Sequence, residues 1–276
     1  MGGSEVAIVG YGTVGKHMEQ LLVCAQKSYC VYDKLLGIGS RDEVNSCAIA
    51  FICVPTNACE DGSCDLSAVE DVLSWLDGPL AVIRSTVPVG TTRALRQKLA
   101  RPIVFNPEYV GETPWAPQNP ERSFVLIGGD PAERAVLLCF YESILGSIPR
   151  YGLAEAEAVE LAKYMENAFL ATKVTFCNEF AAIAQALGVE YEIARELWLL
   201  DERMGRHHTA VTQVGGYGGR CLPKDMSAVI SQSRAAGYDP GLLVAVSERN
   251  AFIRAGRESD TISEGRVDER PVVRAD

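Results

Sequence analysis

Six short apolar runs rich in β-branched residues recur through the first half of the chain: EVAIVG (5–10), YCVYD (29–33), AIAFICV (48–54), LAVIRST (80–86), PIVFN (102–106) and FVLIGG (124–129). Each has the length of a strand, and stretches long enough for helices separate them. Parallel strands need a crossover between them, which a helix supplies, so this rhythm predicts an α/β fold. The expected architecture is a Rossmann-like, doubly wound parallel sheet followed by a mostly α-helical domain. One crossover is trimmed: Asp33 to Ala48 leaves room for only a turn or two of helix around Ser40 to Ser46. From Ala154 the pattern turns helical, breaks at Gly188, and resumes over 190–203, 225–236 and 240–255.

Length limits how many such domains the chain can hold. With 276 residues, 47% of them apolar, it can bury one full core and part of another, so two domains are expected. Asp and Glu outnumber Lys and Arg by 36 to 26, and the net charge of −10 repels a phosphate backbone. No nucleic-acid partner is expected. No apolar run approaches the roughly 18 residues of a membrane span, and MGGSEVAIVG enters its first strand with no basic region or cleavage site before it. Nine cysteines, odd in number, irregularly spaced and without C-x-x-C, fit a reducing compartment better than a disulfide framework. These features predict a soluble cytoplasmic protein without membrane association.

The first chemical motif is GYGTVG, residues Gly10, Tyr11, Gly12, Thr13, Val14 and Gly15, between the first strand and a helix. Its glycines serve a tight turn, close backbone approach to a pyrophosphate, and helix-to-strand packing, while the helix N-terminus faces the anion. Asp33 ends the next apolar run at the spacing of the acid that binds the ribose hydroxyls. An acid there repels a 2′-phosphate, so NAD is the expected cofactor; Lys34 beside it works slightly against that preference.

Ligands of open α/β sheets bind beyond the carboxyl ends of the strands. Two loops there, CVPTN (53–57) and STVPVGTT (85–92), offer small polar groups and backbone amides, and Val54, Pro55, Thr56, Ser85 and Thr86 are assigned to the cofactor. FNPEYVGE adds Glu108 and Glu112, either an acid and base pair or solvated loop residues. On the long helix, Lys163 and Asn167 are four apart and share a face. Beside Glu160 and Glu166, that Lys is equally the pattern of a surface ion pair.

The most telling stretch is GGYGGRCLPKD, Gly215 to Asp225. Its glycines let the backbone pass close to something bulky, and Cys221 follows where Pro223 can begin a helix. A thiol at a helix N-terminus beside Lys224 is placed to be a nucleophile, whereas structural cysteines sit inside apolar runs, as Cys53 does. Asp225 falls one turn below the thiol, in position to manage a proton through water.

Taken together, GYGTVG, FICVPT, STVPVGTT, FNPEYVGE, ELAKYMENAFLATK with its later NE, DERMG and GGYGGRCLPKD resemble the UDP-glucose/GDP-mannose dehydrogenase family, over most of residues 5 to 255. The resemblance implies two oxidations of a nucleotide sugar's primary alcohol to a uronic acid, through a cysteine thiohemiacetal and thioester, with two NAD reduced. It implies that Cys221 is the nucleophile and Asp225 its partner in water and proton handling, and that Lys163 and Asn167 hold the oxyanion. Thr86 is similar to the hydroxyl that positions a water, Glu108 to the carboxylate that assists thioester hydrolysis, and Glu112 to a substrate-side acid. Gly218 and Lys224 fall on the substrate side, and no metal is implied.

The domains expected are an NAD-binding one over 1–150, a helical catalytic and dimerisation one over 151–256, and a tail over 257–276 that is charged and nearly free of aromatics. The resemblance implies either a short form lacking the family's C-terminal nucleotide-binding domain or a truncation of a longer enzyme. Arg203, the arginine of DERMG, is then expected to reach the sugar diphosphate across a dimer interface. Arg206, with His207 and His208 beside it, supplies part of the missing grip, or else the cluster decorates a solvated turn. The long helix carries more apolar surface than so small a domain can cover, which predicts a homodimer. Two other functions fit parts of the sequence: a hydroxyacid dehydrogenase of the 6-phosphogluconate type, which needs no nucleophilic cysteine, and a non-catalytic NAD-binding subunit.

Overall fold

The computed structural model describes residues 5–110, 123–147 and 149–261. All six apolar runs are strands: β1 (Val6–Val9), β2 (Tyr29–Tyr32), β3 (Ile49–Ile52), β4 (Leu80–Ile83), β5 (Ile103–Phe105) and β6 (Phe124–Gly128). They join with β7 (Arg150–Ala154) in one sheet of order β2-β1-β3-β4-β5-β6-β7. Pairing is parallel from β2 to β5 and between β6 and β7. Two corrections to the expected sheet follow. β6 meets β5 antiparallel, Phe105 opposite Gly128, because an apolar run carries no sign of the direction in which the chain will traverse it. β7 carries no apolar-run signal because its sequence, RYGLA, is partly exposed, with an Arg and a Gly diluting it.

Successive strand side chains point to opposite faces, and β1 divides accordingly. Val6 and Ile8 pack with Met18, Leu21 and Leu22 of α1 (Thr13–Cys24) and with Leu137 and Tyr141 of α5 (Pro131–Leu145). Ala7 and Val9 pack on the other face. Their cluster includes Val44 of α2 (Arg41–Asn45), Val72 of α3 (Ser67–Trp75), Leu95 of α4 (Thr91–Leu99) and Val159 of α6 (Ala156–Ala186). Each fully buried aliphatic side chain contributes roughly 1.5–3 kcal/mol, so two-sided burial of the central strands anchors the loops at their ends. The trimmed crossover is α2, started by a capping box between Ser40 and Glu43.

Beyond the sheet come α6, α7 (Tyr191–Trp198), a 3-10 turn (Glu202–Met204), α8 (Leu222–Ala235) and α9 (Gly241–Thr261). The chain divides into two compact units. One holds the residues up to Phe169 together with Gly219–Pro240, and the other holds Leu170–Gly218 and the chain from Gly241. α9 runs past residue 256; the rest of the expected tail, 262–276, and Glu112 lie outside the described residues. Within the second unit, the Phe176 ring packs on Phe180 and Trp198, at 4.6 and 5.9 Å between centroids. Among the described residues no helix is long and apolar enough to cross a membrane.

Candidate active site

In the first unit the glycine turn is as tight as its sequence demands. Gly10 has φ +95°, and a Cβ there would come within 2.8 Å of the Cys53 backbone; one on Gly15 would strike the Gly10 carbonyl. Gly12 differs, since a Cβ would meet nothing within 4 Å. It caps α1 without a side-chain hydrogen bond, and no acidic residue occupies the first turn. The helix N-terminus is therefore open to an anion, as a dinucleotide pyrophosphate requires. Asp33 Oδ2 accepts from Tyr11 N at 2.8 Å, and Oδ1 from Leu35 N and Leu36 N at 2.9 and 3.0 Å. Burial pushes this carboxyl up, but the three amides outweigh it and hold it below its usual value. Oδ2 retains an acceptor position for a ribose hydroxyl.

Side chains stitch the loops beyond β3 and β4 together. Ser85 Oγ donates to Val54 O at 2.6 Å, and Thr56 Oγ1 donates to Thr86 O at 2.9 Å. Pro55 lies between these two anchor points.

Cys221 stands exposed at the N-cap of α8, and Asp225 N donates to its carbonyl at 3.0 Å, so the carboxylate lies one turn below. Asp225 is 1% exposed. Its Oδ2 accepts from Asn167 Nδ2 at 2.5 Å, and its Oδ1 accepts from Lys224, whose ammonium also reaches Thr56 Oγ1 at 3.5 Å. The Lys224 charge is thus committed to Asp225. Lys163 is buried, not a surface ion-pair residue, and its Nζ sits 4.3 Å from the centroid of the Tyr109 ring. Burial lowers its pKa, opposed by Glu166, Asp225, Glu108 and Cys221. Glu160 does not pair with it. Fully buried, it caps the N-terminus of α4, accepting from Gly90 N at 2.6 Å and from Thr92 N and Oγ1 at 2.9 and 2.6 Å.

Glu108 is buried and saturated. Its Oε1 accepts from Tyr109 N and Val110 N at 2.7 and 3.0 Å, and its Oε2 meets Arg84 and, at 3.1 Å, His17 Nδ1. Burial would raise this carboxyl, but the Arg84 guanidinium and His17 drive it far below the carboxylate range. Sequence reasoning missed Arg84, His17 and Tyr109. Arg84 did leave a signal: a lone charge inside the apolar run LAVIRST has to find a buried partner.

In the second unit the glycine loop is held by two helix-borne asparagines. Gly216 N donates to Asn178 Oδ1 at 3.0 Å, and Asn250 brackets Tyr217, accepting from its N at 2.6 Å and donating to its O at 3.0 Å. A Cβ on Gly218 would press on the Arg254 guanidinium. Asparagine is a poor helix former, so Asn178 and Asn250 in helix interiors were the available clue. Arg203 and Arg206 are exposed, each folded onto a local carboxylate: Arg203 on Asp201, and Arg206 forked onto Glu196 at 2.7 and 2.7 Å.

Residues 30–145 match the NAD binding domain of the UDP-glucose/GDP-mannose dehydrogenase family, and residues 157–251 match its central domain. The chain belongs to that family. NAD is accordingly the cofactor of the UDP-glucose/GDP-mannose dehydrogenase-like sheet domain. Among its relatives, a UDP-glucose 6-dehydrogenase of Pseudomonas aeruginosa is 36% identical over 220 residues, 74% of this chain and 48% of that protein. One from Haloferax volcanii is 31% identical over 244 residues, 79% and 55% of the two lengths. The chain thus spans about half the length of these relatives. A UDP-glucose dehydrogenase structure from Pyrobaculum islandicum superposes with a TM-score of 0.77 at 25% identity, over 91% of this chain and 68% of that one.

Proposed function

We propose that this family member oxidises the primary alcohol of a UDP-glucose-like nucleotide sugar to the uronic acid, using two NAD per turnover and a covalent adduct on Cys221. The observation that carries the proposal is the joining of Cys221, Asp225, Asn167 and Lys163 in the unit that holds the glycine turn. NAD, when bound, supplies the two-electron acceptor for each oxidation. At the aldehyde stage the Cys221 sulfur bonds to the carbonyl carbon, and the oxygen, now an alkoxide, faces the Lys163 ammonium and the Asn167 amide. These fixed groups stabilise charge that appears only as the adduct forms. Loss of a hydride from that carbon leaves a thioester. Water then cleaves the C–S bond, releasing the acid, and Asp225 passes a proton so that the thiol is restored. Thr86 positions that water. Glu108, held ionised by Arg84 and His17, assists as a fixed negative charge rather than as a carrier of the proton.

Lys224, Gly218, Arg203 and Arg206 are assigned to the substrate, with Glu112 as a further acid. A homodimer is supported by the exposed apolar residues of α6 and α7, among them Phe169, Phe180, Ile193 and Leu197. Cytoplasmic residence is supported by nine cysteines none of which is in a disulfide. The deciding experiment offers the purified chain a panel of nucleotide hexoses with NAD. Two NADH per uronate are expected; one NADH per turnover with simple hydroxyacids, and none with nucleotide sugars, overturns the proposal.

A further inference from the structure

Lys163 poses a physical problem that its neighbours answer. An oxyanion-holding lysine must keep its charge, yet this one is 7% exposed and burial lowers its pKa. The acidic and nucleophilic groups acting on it come from three elements: Glu166 on its own helix, Asp225 and Cys221 on α8, and Glu108 in the loop after β5. The same loop brings the Tyr109 ring to 4.3 Å from Nζ. A cation over an aromatic face is attracted by the ring's negative quadrupole, and the attraction grows when water is excluded.

Tyr109 is itself held at two points. Glu108 Oε1 accepts from its backbone N at 2.7 Å, and that carboxylate is fixed by Arg84 and His17. Its ring packs edge-on against Phe124 of β6, at 4.8 Å between centroids. The ring therefore comes to Lys163 preset, carried on the loop after β5 and backed by β6 rather than on the helix that bears the lysine. The geometry points to Tyr109 as a positioning residue: its ring face holds the Lys163 ammonium charged and aimed through the two oxidations. This rests on the proposed function for its catalytic consequence, but the ring's effect on the lysine is measurable without turnover.

The ring is the operative part, so Tyr109→Phe should behave as wild type. Tyr109→Met keeps the bulk against Phe124 and loses the π face, and Tyr109→Leu is a second such variant should the first fold poorly. In protein carrying ¹³C at the lysine ε carbons, the Lys163 resonance is identified by its absence in Lys163→Arg and titrated with pH. Removing a contribution that favours the charged form lowers the midpoint, by about one pH unit in the Met and Leu variants and not in the Phe variant. The alkaline limb of kcat falls to lower pH by the same amount, with KM unchanged. An unchanged midpoint in Tyr109→Met and Tyr109→Leu overturns the inference, as does an equal fall in Tyr109→Phe. Because the titration needs no substrate, its failure is distinguishable from a failure of nucleotide-sugar turnover.

Discussion

Asn167 of α6 donates a 2.5 Å hydrogen bond to Oδ2 of Asp225 on α8, joining two residues 58 apart in sequence beneath the Cys221 thiol. The carboxylate is 1% exposed, so each donor it has matters. Asn167→Ala leaves Lys224 as its remaining side-chain partner of those described and should destabilise the fold by about 1–3 kcal/mol. Urea unfolding reads that cost. A kcat that falls no further than the loss of folded protein explains would remove Asn167 from the chemistry.

Cys221→Ser should separate the two oxidations. Hydride transfer from the alcohol needs no thiol, whereas oxidation of the aldehyde passes through the adduct. The variant should bind NAD as wild type does, keep its circular dichroism, and yield no uronate above background. Undiminished acid formation would mean that another group is the nucleophile.

NAD should bind at least tenfold tighter than NADP, a difference of about 1.4 kcal/mol, because the Asp33 carboxylate, assigned to the ribose hydroxyls by its spacing, would repel a 2′-phosphate. Since Asp33 also accepts from Tyr11, Leu35 and Leu36, Asp33→Ala should weaken NAD and loosen the turn together. Asp33→Asn keeps an acceptor oxygen and should reduce the discrimination with less structural damage. Calorimetric titration with both nucleotides decides it, and equal affinities for the wild type would contradict the assignment.

Glu108 ties stability to acid pH. Its folded pKa lies below the unfolded value of about 4.3, so its contribution is fully present above the unfolded pKa and is lost as pH falls through the folded one. Glu108→Gln takes a charged partner from the buried Arg84 guanidinium, which also donates to Asn106 and Tyr141, and should cost roughly 1.5–3 kcal/mol at neutral pH. The variant should also lose part of the steep decline in unfolding free energy below about pH 4. Parallel acid profiles for the two proteins would show that the carboxylate is not what sets that slope.

Arg206 must leave Glu196 before it can grip a phosphate, and Arg203 must leave Asp201. Arg206→Ala should raise the KM for the best nucleotide sugar about tenfold, whereas Glu196→Gln, which frees the guanidinium, should lower it. NAD affinity should not change in either variant. If neither Arg203→Ala nor Arg206→Ala raises KM by more than about threefold, the cluster is a surface feature and the nucleotide is held elsewhere.

Much of the cofactor half was written locally. The spacing of GYGTVG fixes a turn that only glycine can make at Gly10, and the central apolar runs become strands because they are buried on both faces. The short α2 was legible in the count of residues between two strands, and the structure adds the capping box that starts it. The place of Cys221 at a helix start was legible from its neighbours, since α8 begins at Leu222 immediately after it with Pro223 in its first turn. What the sequence could not determine is which distant groups meet. Lys163 between Glu160 and Glu166 reads as a surface pattern until Glu160 turns away to cap α4 and burial brings the lysine to the Tyr109 ring. The lysine beside the thiol, Lys224, spends its charge on Asp225, and Glu108 is locked by Arg84 and His17 from other elements. Strand direction at β6 was likewise open, because an apolar run has the same pattern in either direction. Propensity and turn chemistry act over a few residues, so the sequence by itself determined the elements and the turn. Charge pairing and burial act between segments far apart in the chain, and only the tertiary structure decided which carboxylates, cations and rings share the site.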